Sequence, residues 1–171
     1  MKTTKGFITI LSVTLILGIA AFSQTLPSVG GGSVNLDAQR GKVVVLAVGA
    51  SWLPLSARQV DITNSLAKKY QGRDIVFYFV ATDSTRPGKN FASDEDVRKF
   101  AATNKIAVGS VLRDPDGGAT FRKYSIDQVP SFIVIGKDGR MIGDPFGGLD
   151  SSPNSKYDIT VPISRAIDKA L

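Results

Sequence analysis

Neither cysteine nor histidine occurs anywhere in the 171 residues. The first absence excludes a disulfide, a thiolate nucleophile, a peroxide-reducing cysteine, a cysteine–zinc site and a lipid-modified cysteine. The second removes the usual general base of enzymes and the commonest transition-metal ligand. Carboxylate sites for calcium or magnesium need neither residue. Asp114 and Asp116 flank a proline–glycine turn, however, with no third or fourth ligand spaced behind them. Also missing is a basic run with interleaved aromatics. The 21 Lys and Arg are mixed with 15 Asp and Glu, which reads as a solvated surface and not as a nucleic-acid site. The chain is therefore expected to hold no metal and no cofactor, and to bind no nucleic acid.

What is present suffices for one domain with its own core. Residues 1–23 read as a targeting segment. Lys2 and Lys5 give a positive end, and the stretch from Phe7 to Phe22 is almost wholly apolar. Ala21-Phe22-Ser23 puts small residues at the two positions that a signal peptidase inspects, so cleavage is expected before Gln24. The alternative is a retained anchor, although the apolar run is short for a span of ~20 residues. On either reading the domain lies outside the cytoplasm, secreted or periplasmic, and a membrane is a partner only if residues 7–22 are kept. Residues 24–33 carry Pro27 and Gly30-Gly31-Gly32 and read as a flexible lead-in. Residues 34–171 make up the folded domain.

Within it, Val34-Asn35-Leu36 reads as a short edge strand. Val43 to Val48 is a continuous β-branched run, the pattern of a strand buried on both faces. Gly49-Ala50-Ser51-Trp52 follows, and Pro54 sits in the first turn of an amphipathic helix that turns Val60, Ile62, Leu66 and Ala67 toward a sheet and stops at Gly72. Asp74 to Thr82 is a second core strand, so the two strands are parallel with a right-handed crossover. A helix starts at Ser93-Asp94-Glu95-Asp96, whose acids match the helix dipole. A strand over Val108–Leu112, a turn at Asp114–Gly118 and a short helix over Ala119–Tyr124 come next. Phe132–Ile135 is another strand, Lys137-Asp138-Gly139-Arg140 a hairpin turn and Arg140–Gly143 its returning partner. Asp144 to Tyr157 is loop, and Ile159 to Leu171 a closing amphipathic helix.

This order of elements, with three local signals, resembles the thioredoxin-like superfamily, in particular its extracytoplasmic redoxin branch of TlpA-like thiol–disulfide oxidoreductases. The signals are Gly49-Ala50-Ser51-Trp52 before a proline-bearing helix start, Leu112-Arg113-Asp114-Pro115-Asp116-Gly117 with Tyr124 and Ile126, and Val129-Pro130-Ser131-Phe132-Ile133-Val134-Ile135 with Lys137-Asp138-Gly139-Arg140 behind it. The resemblance covers about residues 34–171. It implies a three-layer α/β/α fold with a mixed central sheet, and a cis proline at Pro130.

At the site the chain departs from the family. Leu53 stands where the attacking cysteine would be, and Ser56 where the resolving cysteine would be. Thiol–disulfide exchange needs a thiolate and a second thiol. Leucine offers no lone pair, and a serine hydroxyl cannot replace a thiol without a strong base beside it. No catalytic residue is therefore expected. Trp52, Leu53, Pro54, Leu55, Val129 and Pro130 are expected to form an apolar groove beside an open backbone edge, suited to an extracytoplasmic polypeptide laid down as an added strand. Residual chemistry, if any, rests on Ser56 and Asp83, the latter at a strand's carboxyl end. A third reading makes the domain a structural subunit that uses other surfaces.

Overall fold

The computed structural model describes residues 24–150 and 157–171. The targeting segment and part of the Gly/Ser/Pro loop fall outside the described residues. Two antiparallel strands come first, β1 (Thr25–Pro27) and β2 (Ser33–Asn35). The main sheet contains β3 (Val43–Gly49), β4 (Ile75–Ala81), β5 (Ser110–Arg113) and β6 (Ser131–Ile135), in the order β5-β4-β3-β6. β3, β4 and β5 are parallel, and β6 runs antiparallel to β3. The helices are α1 (Pro54–Lys69), α2 (Asp94–Thr103), α3 (Thr120–Tyr124) and α4 (Thr160–Ala170). Among the described residues no helix is long and apolar enough to cross a membrane.

Strand alternation divides the core in two. Val43, Val45 and Ala47 of β3, Phe77 and Phe79 of β4, and Phe132 and Val134 of β6 face one side, under α1, α2 and α4. Val44, Leu46 and Val48, with Tyr78, Val80, Ile133 and Ile135, face the other. All seven residues of β3 are buried, which is why its sequence shows no polar alternation. The expected three-layer α/β/α arrangement with a mixed sheet is the one found. Its second outer layer is thin, built from α3, Leu36 and the β1–β2 arm through Leu26.

That arm corrects the reading of residues 24–33 as a flexible lead-in. Thr25, Leu26 and Pro27 pair with Asn35, Val34 and Ser33. Gly31 and Gly32 take positive φ in the turn between them, a conformation that costs glycine little. Leu26 is 3% exposed. Beyond it, Ser28 bridges Leu112, and the Val29 N–H donates to the Val111 C=O. The expected edge strand at Val34–Leu36 therefore pairs with the arm and not with the main sheet. The hairpin behind β6 turns at Gly139, φ +81°, and its return meets β6 through isolated bridges, Ile135–Met141 and Phe132–Phe146, with bonds from the Gly136 N–H to the Arg140 C=O and from the Ile142 N–H to the Val134 C=O.

Candidate functional site

β3 ends at Gly49, and the chain crosses Ala50-Ser51-Trp52-Leu53 before α1 begins at Pro54. Leu53 is the helix N-cap but gives no side-chain cap. Pro54 carries no N–H, and among the described residues the Leu55 N–H has no partner. The crossing loop is tied from below by Asp83. One oxygen of its carboxylate, Oδ1, accepts from the Ser51 N–H at 2.9 Å and from the Ser51 hydroxyl at 2.6 Å. Its other oxygen, Oδ2, lies 3.6 Å from the Arg113 guanidinium, and both side chains are buried. Arg113 also pairs with Asp94 at 2.9 Å and donates to the Ala92 C=O at 2.9 Å. Among the described residues Asp83 Oδ2 and Arg113 Nη1 make no hydrogen bond.

A second tie runs through α1. Gln59 is fully buried and donates to the Val48 C=O at 3.2 Å and the Ser131 C=O at 2.9 Å. It joins the end of β3 to the residue after Pro130. Its Oε1 has no partner among the described residues and occupies the space that Gly49 leaves open, where a β-carbon would overlap it. The Val129–Pro130 bond is cis, as the resemblance implies. Among the described residues neither the N–H nor the C=O of Val129 takes part in a hydrogen bond.

Trp52 and Val129 line one open cavity of about 210 Å³, together with Thr82, Asn90, Asp116 and Phe121. Trp52 is 44% exposed. The other expected groove residues stand outside this lining. Leu53 and Leu55 are half-buried, Pro54 is exposed, and Pro130 is buried. Ser56 is buried too, its oxygen accepting a long 3.4 Å bond from the Ala50 N–H. No hydrogen bond joins Ser56 to Asp83, and Asp83 is spent on Ser51 and Arg113. A hydroxyl without a base and a carboxylate without access make no acid–base pair.

Asp114 and Asp116 behave as turn residues. Asp114 accepts from the Ala119 and Thr120 N–H groups at 2.8 Å each, and Asp116 pairs with Arg86 at 3.0 Å. Gln59 and Phe121 escaped the sequence reading. Gln59 had left a trace: Ser56, Gln59 and Thr63 recur at helical spacing beside Val60 and are all buried. Polar groups on a core-facing stripe need partners. Phe121 is placed by Gly117, φ +66°, against whose α-carbon its ring packs.

The family model described as the AhpC/TSA family matches residues 17–142. A thiol-disulfide oxidoreductase ResA of Bacillus thuringiensis is 22% identical over 142 residues, which cover 82% of this chain and 76% of that protein. Among solved structures, a putative thiol:disulfide interchange protein DsbE from Chlorobium tepidum superposes with a TM-score of 0.68 at 23% identity, covering 86% of this chain and 92% of its own. The exposed lipoprotein thioredoxin Etrx1 of Streptococcus pneumoniae gives 0.66 at 22% identity, covering 86% and 98%.

Proposed function

The chain belongs to the AhpC/TSA family, and we propose that it is a redox-inactive, cysteine-free member that holds an extracytoplasmic polypeptide in the groove where relatives carry thiols. One observation carries this reading. An exposed tryptophan and an unpaired stretch of backbone, Trp52 and Val129, border the same cavity. An extended partner meets a donor and an acceptor at Val129 and an aromatic wall at Trp52, which suits recognition of a short extended segment through its backbone at that one residue. Leu53, where relatives carry the attacking cysteine, and Leu55 are half-buried and make the surface apolar where relatives are reactive. The targeting segment at residues 1–23, together with relatives such as the exposed pneumococcal lipoprotein, supports a place outside the cytoplasm.

Isothermal titration with extended, unfolded polypeptides checks the reading. Binding is expected, and Trp52→Ala or the pair Leu53→Asp and Leu55→Asp should weaken it about ten-fold or more. Binding that survives all three changes sinks the groove. It then favours the structural reading, for which the exposed Tyr157 and Val161 near the start of α4 are the available apolar face.

A further inference from the structure

All but one of the hydrogen-bonding groups of Gln24 are engaged. Its N–H donates to Asp37 Oδ2 at 2.7 Å. Its C=O accepts from the Leu36 N–H at 2.8 Å, and its Oε1 accepts from the Tyr124 hydroxyl at 2.8 Å. Among the described residues only Nε2 has no partner. Asp37 divides its oxygens: Oδ2 takes Gln24, and Oδ1 faces Lys123 Nζ at 3.5 Å. The bond from Gln24 is the largest influence holding the Asp37 carboxyl below its ordinary value, ahead of Lys123 and Arg40.

Gln24 is also the residue that the Ala21-Phe22-Ser23 pattern leaves first. In the uncut chain its nitrogen is a neutral amide donor. After the cut the same nitrogen is an ammonium, so a bond whose acceptor is already charged gains the attraction of a second, opposite charge. We propose that Asp37 is a built seat for the chain's own new amino terminus: removal of residues 1–23 turns the Gln24–Asp37 hydrogen bond into a salt bridge that fastens the β1–β2 arm to the domain. The proposal does not rest on polypeptide binding. It rests on the expected cleavage, which the test reads first.

The charged and titratable groups around this nitrogen are few. Asp37 raises the ammonium's pKa, whereas Lys123 on α3 and Arg40 beyond Asp37 lower it. Asp37, in contact, outweighs the others. Burial pushes the Tyr124 phenol above its ordinary value, so it stays protonated while the ammonium titrates. A cation whose folded pKa is raised contributes its stability fully below the unfolded value, about 7.7–8.0 for an α-amine. That contribution disappears as pH rises through the folded value.

For the test, the full chain is exported, the processed product recovered and its first residue read by intact mass. The expected product starts at Gln24 with a free amine. A different first residue overturns the proposal, and so does a terminus lighter by one ammonia, whose lactam has no ammonium. Asp37→Asn is then compared with its parent, both carrying Lys123→Gln to remove the other amine at the carboxylate. Urea unfolding is followed from about pH 6 to about pH 10. Asp37→Asn should cut the folding constant roughly ten-fold at the acid end and much less at the alkaline end. A loss that does not change with pH overturns the seat. If the Asn variant fails to fold, the α-amino pKa of the unmutated product decides by NMR: a value above about 8 supports the proposal, and any value at or below that ends it.

Discussion

Arg113 is the residue on which the floor of the site turns. Its guanidinium is buried at the ends of the parallel strands, facing Asp83 and Asp94 and donating to Ala92. Removing one partner of a buried ion pair leaves the other charge in a dry place, which costs about 3–5 kcal/mol. Arg113→Met should lower stability by about that amount in urea, because it strands Asp83. Arg113→Met with Asp83→Leu should recover much of the loss, even though the Ser51 bonds are gone. A full loss in the double variant would show that Asp83 matters for Ser51 and not for its charge. The sequence exposed Asp83 as an acid at a strand end but hid its partner. Arg113 lies 30 positions away and looks like one more surface cation until the parallel pairing of Ala81 with Arg113 sets them side by side. Trp52 and Val129 were legible because both flank recognisable motifs. Leu53, Pro54, Leu55 and Pro130 were expected in the lining and are not there: Leu53 is the extended residue before α1, and Pro54 and Leu55 belong to its first turn.

At the level of elements, the strong signals were apolar runs and turn chemistry. β3, β4 and β6 announced themselves through unbroken β-branched and aromatic runs, and α2 through its start. Ser93 accepts from the Asp96 N–H while Asp96 reaches back to the Ser93 N–H, a complete capping box. The β1–β2 arm, apart from the strand read at Val34–Leu36, was illegible for the opposite reason. Its strands are three residues long, its turn is glycine-rich, and the local composition is that of a linker. What orders it is nonlocal: Leu26 seated in the second core and Val29 bonded to β5. Leu26→Ala should therefore cost about 2–5 kcal/mol in urea unfolding, the range for a buried leucine. A linker residue would cost almost nothing, so a change below about 0.5 kcal/mol would return the arm to the status of a tether.

For the whole molecule, composition settles more than architecture does. The AhpC/TSA membership and the thioredoxin-type sheet describe a scaffold that hosts thiol chemistry in relatives, and this chain contains no thiol. Insulin-disulfide reduction and peroxide consumption are expected at buffer background for the purified protein. Turnover above background would demand a nucleophile that neither Ser56 nor Asp83 supplies in this geometry. Reducing agent should leave the urea midpoint unchanged, because there is no disulfide to open.

Both margins of the main sheet are occupied, β6 by Met141, Ile142 and Phe146 and β5 by Ser28 and Val29. A visiting strand at Val129 therefore has no ladder to climb in either direction. One donor and one acceptor, at about 0.5–1.5 kcal/mol each, make a shallow well. Residence times should accordingly be short and governed by the side chain that settles against Trp52. A protein that worked in the proposed way would sample many clients briefly, and any lasting complex would have to draw its persistence from a second point of attachment.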